Sequence, residues 1–556
     1  TLSNTAIISS ASSGRVTATS ETDAALGLSV TAAIGVLGVV GEMDQTVITS
    51  TATSGISSAD SSSSTNNLEV SATSLALAGG VIGQVGSATD LTLNVTATAG
   101  QSEVSADTSQ ELSYAAADAT AIAVGVSSGE SLAYGLPEVL GPVLGPVLDG
   151  MDMLGGLPLE GLGAVGGDLF SGLPLSDAIE GEGVPSPTGT TINGAIIANA
   201  ASADASGERA YAASNAYVIG HDSTLFSGEV DGTLAVTANA DTANAAGATS
   251  YSRANASATG FAEVDTDAFS GELTVTANAG TATASSAPFG FAEPSRAEAT
   301  ANANGIRTVE GNLTATSSFT IAAIGGVAQV AISDQPIELG DPDDEIIEGN
   351  SFGRNEADAS AEAIALNKVD TNLEELSSVA ATFNVSAEGG QAYVVSDESS
   401  YGLAEADAVA TGIEDFFGEF SGDMTVTATG GTALLEKRYS GTTDQIESLD
   451  EFGDFAFANA NATGIGSNDA DVGGIIGGSI TVTATGGTAA TLGQPFLGND
   501  VIDSEVLINE TSYNANAQAS GIAGDVMIDE VSALIEVDAT GGRVILTIDL
   551  LEDEIE

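Results

Sequence analysis

The sequence has no cysteine and no tryptophan, one histidine, and ten lysine and arginine residues against 77 aspartate and glutamate residues. Without cysteine there is no disulfide framework, which fits either a reducing compartment or a secreted bacterial or archaeal protein. A formal charge of −67 repels nucleic acid and anionic membranes and attracts divalent cations. We therefore expect no nucleic-acid partner, and divalent cations or other copies of the chain as partners.

Long apolar runs are missing as well. No stretch of 18 or more apolar residues occurs, which predicts that no segment spans a membrane. The chain begins at Thr1 rather than methionine, which fits removal of a signal peptide or an artificial boundary. Together with the abundance of Thr, Ser, Asn and acidic residues, this composition predicts an extracellular or cell-surface location.

Residues that carry catalysis are scarce too. The single histidine, His221 in "VIGHDST", has no nucleophile or second ligand near it in the sequence, which predicts an exposed loop residue. Phosphate-binding, dinucleotide and zinc motifs are absent. Ten scattered basic residues do not suit a lyase acting on an acidic polysaccharide, and close carboxylate pairs arise by chance among 77 acids. We predict that the protein is not an enzyme.

The chain does contain an internal repeat. The phrase "MTVTATGGTA" at 424–433 recurs as "ITVTATGGTA" at 480–489 and "LTVTANAGTA" at 273–282. Successive phrases from residue 234 are spaced by 39, 46, 64, 41, 56 and 55 residues. A second, alanine-alternating phrase lies between them, such as "AEATANANGI" from Ala297.

Both phrases alternate with a period of two, which predicts β-strands with one buried face. A helix would need apolar residues at i, i+3, i+4 and i+7, and these phrases lack that pattern. The predicted inward residues are Leu273, Val275, Ala277 and Ala279 in the first phrase, and Ala297, Ala299, Ala301 and Ala303 in the second. The predicted outward residues of the first phrase are Thr274, Thr276 and Asn278.

These strands predict an all-β, elongated repeat architecture with long, variable, acidic loops. Two arrangements remain open at this point, a β-solenoid and a series of stacked β-sandwich modules. Burying an alanine methyl contributes only about 0.8 kcal/mol, so a single repeat does not fold alone. Stability must come from stacked neighbours, bound ions or other copies of the chain.

A Leu/Pro/Gly-rich segment interrupts the repeat. We predict an N-terminal β-repeat module at 1–135, an apolar insertion at 136–190 and a C-terminal β-repeat array at 191–556. A long apolar segment such as 136–190 is unfavourable when its surface is exposed to water. The insertion therefore either covers one end of the repeat stack or contacts another subunit.

The last segment, "GGRVILTIDLLEDEIE", has the densest alternation of large apolar residues. Val544, Leu546, Ile548 and Leu550 fall on one face of a strand. Such a strand either closes its own sheet or adds to the sheet of a neighbouring subunit.

Acidic loops are candidate calcium sites, because calcium takes six to eight oxygen ligands and Asp-x-Asp in a loop supplies several. The predicted ligands are Asp341, Asp343, Asp344, Glu345, Asp469, Asp471, Asp500, Asp503, Asp265 and Asp267. Six Asn-x-Ser/Thr sequences also occur, and two of them, at Asn255 and Asn461, are predicted to point outward and to be open to glycosylation.

The two repeated phrases resemble those of secreted prokaryotic β-strand-repeat surface proteins, a class of adhesins, matrix proteins and extracellular fibre subunits. The resemblance implies an extracellular structural protein that self-assembles into a fibre or biofilm matrix. We expect assembly by strand addition between subunits, with calcium as a stabilising ion. The alternative is a cell-surface adhesin or surface-layer component that binds glycans through its loops.

Overall fold

A computed structural model describes residues 1–548 with gaps. The segments outside the described residues are 21–23, 39, 62–67, 84, 86–87, 107–112, 128–189, 208, 223–228, 248, 287–294, 333–353, 371–376, 398–400, 440–453, 468–470, 496–510 and 549–556. The described residues form strands and no helix.

The strands before the apolar insertion are β1 (Leu2–Ser3), β2 (Ala6–Ser12), β3 (Val16–Ser20), β4 (Ala24–Leu37), β5 (Met43–Asp44), β6 (Val47–Thr53), β7 (Ser57–Ser61), β8 (Leu68–Ile82), β9 (Ala88–Thr89), β10 (Leu91–Thr98), β11 (Ser102–Ala106) and β12 (Ser113–Ser127). Those after it are β13 (Thr190–Asn199), β14 (Ala203–Ser206), β15 (Arg209–Asp222), β16 (Glu229–Asn239), β17 (Thr242–Gly247), β18 (Thr249–Asn278), β19 (Thr281–Ser286), β20 (Arg296–Glu298), β21 (Ala301–Leu313), β22 (Ser318–Ile324), β23 (Val327–Ile332), β24 (Arg354–Asp358), β25 (Ala361–Asp370), β26 (Ser377–Val379), β27 (Thr382–Glu388), β28 (Gln391–Asp397), β29 (Tyr401–Glu405), β30 (Ala408–Phe420), β31 (Asp423–Thr429), β32 (Thr432–Tyr439), β33 (Asp454–Phe457), β34 (Ala460–Ile465), β35 (Asp471–Ile476), β36 (Ser479–Thr485), β37 (Thr488–Pro495), β38 (Thr511–Asn514), β39 (Ala517–Ile522), β40 (Asp525–Val531), β41 (Leu534–Thr540) and β42 (Arg543–Ile548).

The chain winds around three faces in each coil, and the strands of successive coils pair in parallel. The threonine face consists of β2, β6, β10, β13, β16, residues 268–278 of β18, β22, β27, β31, β36 and β41. The short face is the 11-stranded sheet β3, β7, β11, β14, β17, β19, β23, β28, β32, β37 and β42. The alanine face consists of β4, β8, β12, β15, residues 249–266 of β18, and the pairs β20–β21, β24–β25, β29–β30, β33–β34 and β38–β39.

This winding is a parallel β-solenoid, so the structure decides between the two predicted arrangements. Leu273, the first inward residue of its phrase, pairs with Phe319, which pairs with Phe383 in the next coil. The column ends with Ile480 opposite Ile535. Each interval between phrases is therefore the length of one coil. The extra residues of long coils fall between the short face and the alanine face, as at 333–353 and 496–510.

The core tapers along each threonine-face strand. In most coils the inward residues of this strand are large, then Val or Ile, then Ala, as in Met424, Val426 and Ala428, all buried. Phe319 and Phe383 stack within the wide part, with ring centroids 4.9 Å apart. The predicted inward residues lie inside as expected: Leu273, Val275 and Ala277 are buried, Ala279 is half-buried, and the four alanines of the second phrase are buried.

At the narrow end of the core, the Gly-Gly pair joins two faces of the coil directly. The backbone N–H of Gly431 donates to the carbonyl of Ala406 on the alanine face at 2.7 Å, and Gly487 donates to Ala458 at 2.8 Å. A Cβ at Gly430 would lie 2.5 Å from the oxygen of Ala458. In this coil the phrase "MTVTATGG" narrows to a wedge, because a Cβ at Gly430 would meet the backbone of the opposite face.

The stack is continuous across the apolar insertion. Strand β13 pairs with β10, and β15 pairs with β12, on either side of residues 128–189. The coils before and after this segment are consecutive coils of one stack. The predicted insertion at 136–190 lies outside the described residues except for Thr190, and the division of the chain into modules remains a prediction.

We predict that Gly430→Ala lowers the free energy of unfolding by about 1–3 kcal/mol, because the added methyl meets backbone atoms of the next coil. The matched control is Gly541→Ala, the same position in the last coil, where a Cβ meets nothing within 4 Å. Urea unfolding of both variants measures the difference. Equal loss in the two variants would contradict the close approach of the faces.

Candidate functional site

The first and last coils have unpaired strand edges. In the described chain, β2, β3 and β4 pair only with the second coil, through β6, β7 and β8. At the other end, β40, β41 and β42 pair only with β35, β36 and β37. Each edge therefore presents a row of unpaired peptide N–H and C=O groups, which is a template for another strand.

Exposed large apolar side chains are concentrated at these ends. Of the eleven in the described residues, all except Ile324 lie in the first coil, the start of the second, or the last coil and the strand before it. They are Ile8, Leu26, Leu28, Val30, Leu37 and Val47 at one end, and Val531, Leu534, Val537 and Val544 at the other.

The core itself is open at the last coil. Val537 is 48% exposed and Val544 is 54% exposed, although both occupy inward columns. Their partners one coil earlier, Val482 and Ala489, are fully buried. Two core columns of the last coil therefore end in valine side chains that no described residue covers.

Two inward columns have similar residues at the two open ends, whereas the column of Val537 begins at Ser9 in the first coil. The column of Ile535 begins at Ile7 in the first coil, and the column of Val544 begins at Val16. The first coil of one copy placed on the last coil of another would thus continue both columns. The strand predicted near the C-terminal end of the sequence is β42, and it pairs with β37 of its own chain. No described strand pairs with the opposite edge of β42.

A second cluster of chemical interest lies on the outer side of the alanine face. The alternation of the sequence predicts that side chains on this side contact solvent. Asp118 points outward but is 2% exposed. Thr120 donates a hydrogen bond to Asp118 Oδ1 at 2.5 Å, and Oδ2 has no hydrogen-bond partner among the described residues. Burial raises the Asp118 pKa to about 7, against the opposing effects of Thr120 and of Arg253.

Tyrosines and an arginine surround this carboxyl group. The rings of Tyr211 and Tyr251 lie 5.3 Å apart. The Tyr251 hydroxyl donates to Glu298 at 2.8 Å, and Arg253 lies 3.5 Å from the same carboxylate. Burial raises the pKa of both tyrosines, so their hydroxyls stay protonated. This cluster was not predicted from the sequence, although Asp118 and Arg253 interrupt alanine-rich strands.

A ladder of polar side chains runs along the alanine face, at the break between the two strands of this face in the later coils. Asn255 Oδ1 accepts the N–H of Thr300 in the next coil at 3.0 Å, and Asp407 Oδ1 accepts the N–H of Asn459 at 2.7 Å. Burial raises the pKa of Asp407, and the hydrogen bonds from Asn459 oppose the shift. Such bonds between coils satisfy backbone donors at a turn, where the sheet ladder does not.

The predicted calcium ligands are not brought together by described side chains. Asp341, Asp343, Asp344, Glu345, Asp469, Asp500 and Asp503 lie outside the described residues. Asp265 and Asp267 lie in β18 and Asp471 begins β35, where only the backbone is described. The backbone of Asp471 pairs with that of Asp525 in the next coil. Within the described part of the chain, no group of three or more His, Cys, Asp or Glu side chains is arranged to hold a metal.

Other predicted positions have mixed outcomes. Asn255 is 7% exposed and Asn461 is exposed, so the prediction that both point into solvent is wrong for Asn255. The cause is the hydrogen bond that holds Asn255 against the next coil. The backbone of His221 lies in β15, so the prediction of a loop position is also wrong; its side chain is not described.

A shallow groove of about 640 Å³ follows the outside of the Gly-Gly corner across several coils. Its floor is peptide backbone from glycine pairs such as Gly389–Gly390 and Gly430–Gly431, flanked by side chains such as Gln391 and Thr432. Among the described residues that line it, none is aromatic or histidine. The ionisable side chains among the described lining residues are those of Glu388 and Arg543.

The fold defines the class as parallel β-solenoid. Comparisons with protein-family models, with curated proteins and with solved structures found no match. The described residues contain no helix long and apolar enough to cross a membrane.

We predict that Asp118→Asn stabilises the protein more at pH 8 than at pH 5.5. Because the pKa is raised from 3.8 to about 7 in the folded chain, stability from this group is greatest below pH 3.8 and falls as pH rises to about 7. The advantage of the variant should grow by about 2 kcal/mol between the two pH values. Urea unfolding measures it.

Asp423→Asn serves as the control for this experiment, since Asp423 is exposed on the threonine face. It makes the same change of an acid to an amide at a position open to water. If the free energy of unfolding changed with pH by the same amount in the wild type and in Asp118→Asn, Asp118 would not be buried.

Proposed function

We propose that the chain is an extracellular structural protein, without catalytic activity, whose copies stack end to end into a fibre or matrix. The observation that carries this proposal is the open core of the last coil, where Val537 and Val544 are half exposed in inward columns. In a protein with a charge of −67, exposed apolar core is unusual unless another surface covers it.

Stacking would join complementary edges. The unpaired edge of β41 would pair with the edge of β2 in the next copy, as strand addition requires. In the existing register, Ile535 then meets Ile7, and Val544 meets Val16. The contact joins two different surfaces, so it is head to tail and generates an open filament unless a rotation closes it.

Charge opposes this contact. Copies that each carry −67 repel one another, and salt shortens the range of that repulsion to about 8–10 Å at 0.10–0.15 M ionic strength. Divalent cations bound to acidic loops would lower the charge as well as screen it. We propose that calcium, held by the acidic loops between the short and alanine faces, favours assembly.

We predict that Val537→Lys weakens assembly at least about 100-fold in dissociation constant, since the ammonium group would be buried at the joint. Thr425→Lys is the control, because it adds the same charge at an exposed position within the stack. Sedimentation velocity across a range of protein concentrations measures the effect, and negative-stain microscopy shows the particle shape.

Three results are informative here. Loss of filaments in Val537→Lys alone supports end-to-end stacking. Equal filaments in both variants would contradict the proposed joint. Wild-type protein that remains monomeric at every concentration, with and without calcium, would contradict the proposed function.

We predict that calcium raises the melting temperature and promotes assembly beyond the effect of sodium chloride at equal ionic strength. The reason is specific ligation by clustered carboxylates, which screening does not reproduce. Titration calorimetry on the triple variant Asp341→Asn, Asp343→Asn and Asp344→Asn tests one loop. Identical melting curves with calcium and with EGTA would rule out calcium binding.

A further inference from the structure

The threonine face presents three outward columns of side chains along the stack. We call them the threonine columns, and they are the columns that contain Thr425, Thr427 and Thr429. Each column has one residue in every described coil from β2 to β41. Threonine, serine and asparagine occupy most of these positions, so the surface consists mainly of hydroxyl, methyl and amide groups.

The threonine columns carry almost no charge. In the first ten coils their one ionisable side chain is Glu388, and the last coil adds Glu536 and Asp538. Glu272 and Asp423 lie in the neighbouring outward column, where the strands begin. In a chain with 77 acidic residues, the face therefore has a neutral centre and an acidic rim, and such a distribution of charge is typical of protein interfaces.

These columns are open to water. Thr274, Thr320 and Thr425 are exposed, so no described residue covers them. Ile324, in the column of Thr429, is 44% exposed, and it is the one exposed large apolar side chain of the described residues that lies away from the two ends. End-to-end stacking would leave Ile324 in water, whereas a contact made by this face would bury it.

The outward side chains of this face are ordered before any partner binds. Asn278 Nδ2 donates to Asn239 Oδ1 at 2.7 Å, and Asn239 Nδ2 donates to Asn199 Oδ1 at 2.9 Å. Threonine is branched at Cβ and therefore stiff at χ1. Association thus costs this face less side-chain entropy than it would cost a surface of lysine and glutamate.

The face is large enough for a stable contact. Eleven strands of about seven residues, such as β31, form it. At about 3.3 Å per residue and about 4.8 Å between strands, it spans roughly 20 by 50 Å. This area of about 1,000 Å² exceeds the roughly 800 Å² per partner that a standard protein interface buries.

We propose that two copies of the chain pair face to face through their threonine columns, as two sheets packed against each other. Two copies of one face have the same spacing between strands, so their rows of side chains can interdigitate along the whole contact. Because each copy contributes the same surface, the contact is isologous and closes as a dimer.

Charge favours this face over the alanine face. Outward columns of the alanine face carry acids such as Glu298, Asp358 and Glu362. A contact between two copies through those columns would bring acids together, and a basic partner would bind there rather than at the neutral threonine columns. Two copies that each carry −67 therefore repel each other least where their threonine columns meet.

The pairing does not rest on the proposed fibre, because it uses side chains other than those at the open ends. Variants of this face should keep the end-to-end filaments. Where both contacts form, the pairing joins filaments side by side.

Sedimentation velocity tests the pairing in the full-length Val537→Lys variant, in which end-to-end stacking is weakened. The experiment uses about 1 M sodium chloride, where the screening length is about 3 Å. We expect an equilibrium between monomer and dimer. Adding Thr274→Glu and Thr320→Glu should raise the dissociation constant of the dimer at least about 30-fold, since carboxylates would be buried in the contact.

The matched control adds Asn461→Glu and Gln518→Glu instead. Each pair of positions lies side by side in adjacent strands and is exposed, so both variants add two like charges across one strand pair. Loss of the dimer in the threonine-face variant alone, with the same circular dichroism in all variants, supports the pairing. Equal dimerisation in the two variants, or a Val537→Lys protein that stays monomeric at every concentration, would overturn it. Filaments of the wild type would in that case still support the end-to-end joint.

Cross-linking locates the contact without a charged substitution in the face. The chain has no cysteine, so Thr276→Cys provides a single thiol for a photo-cross-linker in the middle of the face. It should join to threonine-face strands of another copy, such as β22 and β27, and a mixture of isotopically light and heavy protein identifies products between copies. Products on the alanine face or the short face, or no products between copies, would overturn the proposal.

Discussion

The convergence of two faces at the glycine pair is the constraint on which the rest of the structure depends. Gly431 donates directly to the carbonyl of Ala406, so the space beside that bond admits only alanine, then valine, then a large residue such as Met424. The wedge recurs in the coils whose phrase ends in Gly-Gly, and there it fixes the order of residue sizes in the phrase. It also keeps the faces in register, because a slip of one residue would place a side chain where only glycine fits.

A core built mainly of alanine contributes little per residue, so the parallel ladder between coils must supply much of the order. Each internal coil has a neighbour on both sides, whereas the first and last described coils have one. Apolar exposure follows the same division, since the inward columns are buried in the interior of the stack and half exposed at its last coil. The features that suit the ends for assembly thus arise from the same repeat that builds the middle.

The outer side of the stack is less uniform than its inner side. The threonine face and the later coils of the alanine face follow the rule of polar residues outward. The early coils of the alanine face depart from it, with Ile122, Tyr211 and the buried carboxyl of Asp118. Oδ2 of the Asp118 carboxyl has no hydrogen-bond partner among the described residues, and burial raises the pKa of this group. A buried carboxyl of this kind is unfavourable for stability at neutral pH and marks a surface that water does not reach.

The sequence alone determined that the two repeated phrases are strands and which of their residues face inward, because alternation of Leu273, Val275 and Ala277 is a local pattern that survives in any β-fold. The spacing of the phrases is visible in the sequence, but only the structure shows that each interval is one coil. Only the tertiary structure decided that the strands are parallel, that the chain winds as a solenoid, and that Asn255 and Asp118 are buried. These properties depend on partners distant in the chain, such as Ala213 opposite Asp118, and no local pattern of residues specifies which distant strand lies alongside.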